Sequence, residues 1–178
     1  ITGSTCSCSS VATMTAVTAD LIDSTYNPID LMEEIVQANE WPHDRAGDEE
    51  LLAEISGKWC NYRMFFIWRE DLNALYFTCS LDMKAPKEKR RAMNDLLSLL
   101  NERMWFGHFE ICSETGTPMF RHTLLTRGTV PVEQLEDLVD IAVNECERFY
   151  PSFQYVLWAG YDAQRATEAA MLDSVGEA

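Results

Sequence analysis

Residues 61–80 read NYRMFFIWREDLNALYFTCS. Tyr62, Met64, Phe66 and Trp68 alternate with Asn61, Arg63, Phe65 and Ile67, and after Glu70–Asn73 a second alternation sets Leu75, Phe77, Cys79 and Leu81 against Tyr76, Thr78 and Ser80. A period of two is the signature of strands, because successive side chains point to opposite faces of a sheet. The segment therefore predicts two antiparallel strands joined by a short turn. The first strand carries apolar residues on both faces, and its simplest reading is a central strand sandwiched between two helical layers. The other reading is that its second face meets something else.

C-terminal to this pair, Pro86 opens a segment in which Met93, Leu96, Leu97, Leu100 and Met104 recur at helical spacing,. Leu99, Trp105 and Phe106 widen that stripe beyond one face. Gly107 then lets the chain turn into Phe109–Cys112, and a turn at Glu114–Thr117 containing Gly116 leads to a returning strand over Met119–Thr126,. Val132, Leu135, Leu138, Val139, Ala142, Cys146 and Phe149 form a further helical stripe, which Pro131 opens and Pro151 is expected to close,. N-terminal to the pair, Asn27 and Pro28 supply an N-cap and a first-turn proline. Ile29, Met32, Ile35 and Val36 form the apolar face, and Pro42 ends that helix,. A polar loop through Asp44 and Gly47 precedes a short strand over Leu51–Ser56, with a helical turn over Glu49–Ile55 as the alternative,.

These elements predict an α+β fold: a twisted, mostly antiparallel sheet of about five strands with flanking helices, in the order α-β-β-β-α-β-β-α. Residues 26–161 form one domain, 1–25 read as a flexible hydroxyl-rich N-terminal tail in which Met14 is a candidate start, and 162–178 as an alanine-rich helical tail, the segment from Pro151 to Ala178 starting packed and ending exposed,. The expected core includes Phe66, Trp68, Phe77, Leu96, Leu100, Phe109, Leu138 and Ala142. No run is apolar and long enough for a signal peptide or a membrane span, and a cytoplasmic location is expected.

The 178 residues hold 14 Lys and Arg against 29 Asp and Glu, a formal net charge of −15. Such a chain repels a phosphate backbone, so nucleic acid is a poor partner. The basic run Lys84, Lys87, Lys89, Arg90 and Arg91 reads as a solvated helix start. The six cysteines, Cys6, Cys8, Cys60, Cys79, Cys112 and Cys146, lack the paired spacing of a zinc site or a secreted disulfide framework,. They read as reduced packing thiols, with Cys79 and Cys112 slow to react; Cys60 and Cys79 could face one another on adjacent strands.

Trp59 with Tyr62, Phe66-Ile67-Trp68, Leu99-Leu100-Asn101, Gly107-His108-Phe109 and Phe120-Arg121, in this order of elements, make residues 26–160 similar to the YbjN family of bacterial sensory transduction regulators,. The resemblance implies a fold similar to type III secretion chaperones and a regulatory or chaperone-like role in binding a protein or peptide client. It implies no catalytic residues and no cofactor.

Surplus apolar width on helices is what a homodimer or client contact needs. The candidate surface comprises Met93, Leu97, Leu99, Leu100, Met104, Trp105, Trp158 and Tyr161. The rival reading is a small-molecule-binding or hydrolytic enzyme in which His108, Glu110, Arg121 and His122 converge across a hairpin. His43 with Asp44 and Asp48 offers hard metal ligands, but without the full pattern of a calcium loop. A binding module should present a shallow groove lined by aromatic and aliphatic side chains, an enzyme a deep cleft with convergent polar groups.

Overall fold

The structure is a computed structural model and describes residues 27–175. The N-terminal tail, with Cys6 and Cys8, lies outside the described residues. The chain runs α1 (Pro28–Ala38), β1 (His43–Arg45), β2 (Glu50–Ser56), β3 (Asn61–Arg69), β4 (Ala74–Ser80), α2 (Arg90–Asn101), β5 (His108–Ile111), β6 (Pro118–Leu125), α3 (Val132–Leu157) and α4 (Ala163–Val175). Six strands form one antiparallel sheet in the order β1-β2-β3-β4-β6-β5. The expected α+β class and element order hold, with an added strand. β1 occupies the polar loop expected around Asp44, where three residues are too few for an alternation to show.

Asn27 caps α1 by accepting a hydrogen bond from the Ile29 N–H at 2.9 Å,. The helix lies on β2 and β3 with Ile29, Met32 and Val36 fully buried. Arg45 fastens β1 to it, donating to Asp30 and Glu33 at 2.6 Å each. Tyr62, Met64, Phe66, Leu75, Phe77, Phe109 and Phe120 from the same sheet face are inaccessible or nearly so. A chain of ring contacts links that face to α3: Phe66 to Phe77 at 4.7 Å, Phe77 to Phe120 at 6.4 Å, Phe120 to Phe109 at 5.9 Å, and Phe109 to Phe153 at 5.3 Å,. All eight expected core residues are buried.

Three sequence expectations are corrected. β3 does not lie under two helical layers: every helix that meets the sheet does so on the Phe66 side, and among the described residues nothing covers the Phe65 and Ile67 side. Pro151 does not end the preceding helix, because α3 runs through it to Leu157. A proline costs a helix its hydrogen bond to the carbonyl four residues earlier, here that of Glu147. The indole N–H of Trp59 donates to that carbonyl at 3.1 Å, and its ring stacks on Tyr150 at 5.8 Å. The Lys58 backbone N–H donates to the Glu147 carboxylate at 2.6 Å. The β2–β3 hairpin thus docks on the helix where the proline leaves it incomplete. Gly57 permits the approach, since a side chain there would strike the Tyr62 ring and the Glu147 carboxylate,.

The third correction concerns the C-terminal helix. Ala166, Thr167 and Ala170 are buried where α4 meets α2 and α3, so this part of the expected tail packs on the domain. Much of the surplus apolar width of α2 is therefore used within the chain.

Candidate functional site

The outer face of the sheet carries an open groove. Strand alternation places Phe65, Ile67 and Arg69 of β3 beside Tyr76 and Thr78 of β4, and those beside Met119, Arg121 and Thr123 of β6. Together they line a shallow groove of about 510 Å3. The Arg121 guanidinium lies 4.7 Å above the Tyr76 ring and 3.2 Å from the Glu110 carboxylate, and Arg69 makes two 2.8 Å hydrogen bonds to Asp71. Both arginines are held in the groove wall by neighbouring acids, leaving its floor aromatic and aliphatic. A second depression of about 440 Å3 continues toward Asn61, Arg63, Ser80, Lys84 and Cys112. Near β1 a third of about 260 Å3 is lined by His43, Asp44, Leu52, Glu54 and Arg63.

The expected His108 hairpin cluster assembles only in part. His108 Nε2 lies 3.7 Å from Glu110, and register pairs His108 with Arg121. His122, one residue on, points to the opposite face beside Phe77. Burial, with a smaller contribution from His108, holds its imidazole below the ordinary histidine range,. The four side chains do not converge on one reaction centre. His43, Asp44 and Asp48 do not make a metal site either: no group of three His, Cys, Asp or Glu side chains among the described residues could hold an ion.

The expected helical surface divides sharply. Met93 and Leu100 are fully buried, so neither reaches a partner. Leu97, Leu99, Met104 and Tyr161 are half-buried, while Trp105 is 94% and Trp158 66% exposed, with Phe106 and Leu172 exposed as well. The expected facing of Cys60 and Cys79 across β3 and β4 does not occur either, because Cys79 sits opposite Met64 and Cys60 precedes β3. Cys146 is fully buried near Cys79, and burial pushes its thiol up. Cys112 departs from the expected inert packing thiol. It is half-buried at the Glu114–Thr117 turn, where the Thr115 hydroxyl, helped by the Thr115 and Glu114 amides, draws its thiol below the ordinary range,.

Alternation misses the residues that link elements: Arg45, Asn101, Glu147 and Pro151. Only the two-faced apolar character of β3 pointed to the outer groove.

No helix of the described residues is long and apolar enough to cross a membrane. No curated protein matches this chain. A solved structure from E. coli, titled as YbjN, "a putative transcription regulator", shares the fold at 9% identity and a TM-score of 0.50, over 70% of this chain and 88% of that one. The family model described as "Putative bacterial sensory transduction regulator" matches residues 28–155, from the first turn of α1 nearly to the end of α3, and the chain belongs to this YbjN family.

Proposed function

We propose that this protein is a non-catalytic, cytoplasmic regulatory module that binds a segment of a protein client on the outer face of its sheet, in a chaperone-like manner. The observation that carries this reading is the two-layer architecture: helices bury one sheet face and leave the other as a shallow groove floored by Phe65, Ile67, Tyr76 and Met119. An aromatic and aliphatic floor rimmed by arginine suits an extended apolar segment. It lacks the convergent acid, base and nucleophile that a hydrolase needs. Membership of a family described as regulators supports the same direction.

The protein acts as a homodimer in this reading, through the exposed Trp105 and Phe106 beyond α2 and Trp158 at the end of α3, where large apolar side chains stand in water,. A photo-crosslinking amino acid at Ile67 should capture a discrete protein in the host cell, and the same probe at Leu172 should not. Equal labelling from both positions would refute the groove. Sedimentation equilibrium tests the dimer: a monomeric mass across the micromolar range, unchanged by Trp105→Asp, would refute it.

A further inference from the structure

The sheet has two edges, and among the described residues one is closed and the other is not. In an antiparallel ladder, residues alternate between bonding the neighbouring strand and turning their N–H and C=O outward. On β5 the Cys112 N–H donates to the Thr117 carbonyl at 3.0 Å, so Phe109 is an outward-turned residue. Asn101, at the end of α2, meets it. Its side-chain amide donates to the Phe109 carbonyl at 3.1 Å and accepts from the Phe109 N–H at 2.8 Å. One side chain thereby imitates a neighbouring strand and blocks that edge.

The β1 edge has no such cover among the described residues. The Glu54 N–H donates to the Pro42 carbonyl at 2.8 Å and the Ala46 N–H to the Glu50 carbonyl at 3.1 Å, which makes Asp44 and Leu52 the bonded pair between them. His43 and Arg45 consequently turn their N–H and C=O groups outward. His43 and Asp44 are exposed, and the small depression over Leu52 adjoins them. The surrounding chain is acidic. From Asn27 to Glu54 it reads NPIDLMEEIVQANEWPHDRAGDEELLAE, with nine Asp and Glu against a single Arg, and that Arg is held by Asp30 and Glu33.

We infer that the β1 edge takes up an extended basic segment of a partner protein as a seventh, antiparallel strand, paired through His43 and Arg45 and matched in charge by Asp44 and its neighbours. A second copy of this chain fits less well: twofold pairing of β1 with itself would set Asp44 opposite Asp44, and like charges directly opposite oppose pairing. This inference goes beyond the groove reading, since it assigns a second place, the β1 edge, and a different partner chemistry. It stands or falls separately from the groove, which the Ile67 crosslink tests.

The test titrates the full chain with a capped nine-residue peptide alternating lysine with valine and threonine, and with its glutamate counterpart. The lysine peptide should bind at least tenfold tighter, and its affinity should fall as salt is raised. His43→Pro removes an outward donor without touching the Asp44–Leu52 pair and should weaken binding at least fivefold. Asp44→Lys, a surface change that leaves the fold alone, should reverse the preference between peptides. In the complex the amides of His43 and Arg45 should gain protection from exchange while that of Asp44, already bonded, stays unchanged. Equal affinity for the two peptides, no response to either substitution, or protection without that alternation would overturn the inference. So would protection of His43 and Arg45 in the free protein that His43→Pro abolishes along with a dimer, since the edge would then belong to a second copy.

Discussion

Along β3 one backbone builds two surfaces from similar residues. Phe66 and Trp68 on the inner face are at most 7% exposed, while Phe65 and Ile67 on the outer face are half-buried. The difference does not lie in hydrophobicity. Helices α1, α2 and α3 settle on one side and close a jigsaw of rings, whereas among the described residues the other side is shielded by its strand neighbours alone. The inner face carries stability, and the outer face is the one proposed for the client.

The largest expected effect separates the two faces. Phe66→Ala should cost about 3–5 kcal/mol of unfolding free energy, and Leu100→Ala about 2–5 kcal/mol, because each empties a closed volume. Phe65→Ala should cost about 1 kcal/mol or less, since its loss opens onto solvent rather than a cavity. Chemical denaturation of the three variants checks this, and comparable losses at Phe65 and Phe66 would mean that the outer face is also closed.

A smaller effect belongs to the seam between the hairpin and α3. Trp59→Phe keeps the ring on Tyr150 but leaves the Glu147 carbonyl without its indole donor, and should cost about 1 kcal/mol. In a Pro151→Ala background, the restored helical N–H reaches that same carbonyl, so the cost of Trp59→Phe should shrink. A double-mutant cycle measures the coupling. Strict additivity would show that the indole bond does not compensate for the proline.

His122 gives a pH-dependent comparison between the folded and unfolded chain. Its folded pKa is depressed, so below the ordinary histidine value near 6.5 the unfolded state binds the proton first,. Stability from this group is complete above about pH 6.5, falls as pH drops toward the folded value, and levels off beneath it. His122→Gln should flatten that part of the stability–pH curve. An unchanged slope would assign it to other groups.

The smallest effect leaves stability untouched and reads access alone. Cys112 should alkylate faster than Cys60, whose thiol burial pushes up, and the buried Cys79 and Cys146 should react only on unfolding,. Mass spectrometry of a labelling time course gives the order.

The strands and helices were legible because each had enough residues to repeat its period: Tyr62 to Trp68, Met93 to Leu100, Leu135 to Phe149. The family resemblance rested on the order of those elements together with single residues such as Trp59 and Asn101. β1, three residues long, had no period to show. Pro151 misled because the usual penalty of a proline in a helix assumes that its stranded carbonyl finds no other donor, and here Trp59 supplies one,.

The sequence by itself determined which residues are apolar and at what spacing, and hence the element types, their order and the core. Spacing is a local property, fixed by backbone geometry. Only the tertiary structure decided which face of β3 the helices cover, that α4 takes up much of the width of α2, that His122 turns away from His108, and that Asn101 closes one edge while no described residue covers β1. Each of these depends on where segments distant in sequence come to rest, and no local period encodes that.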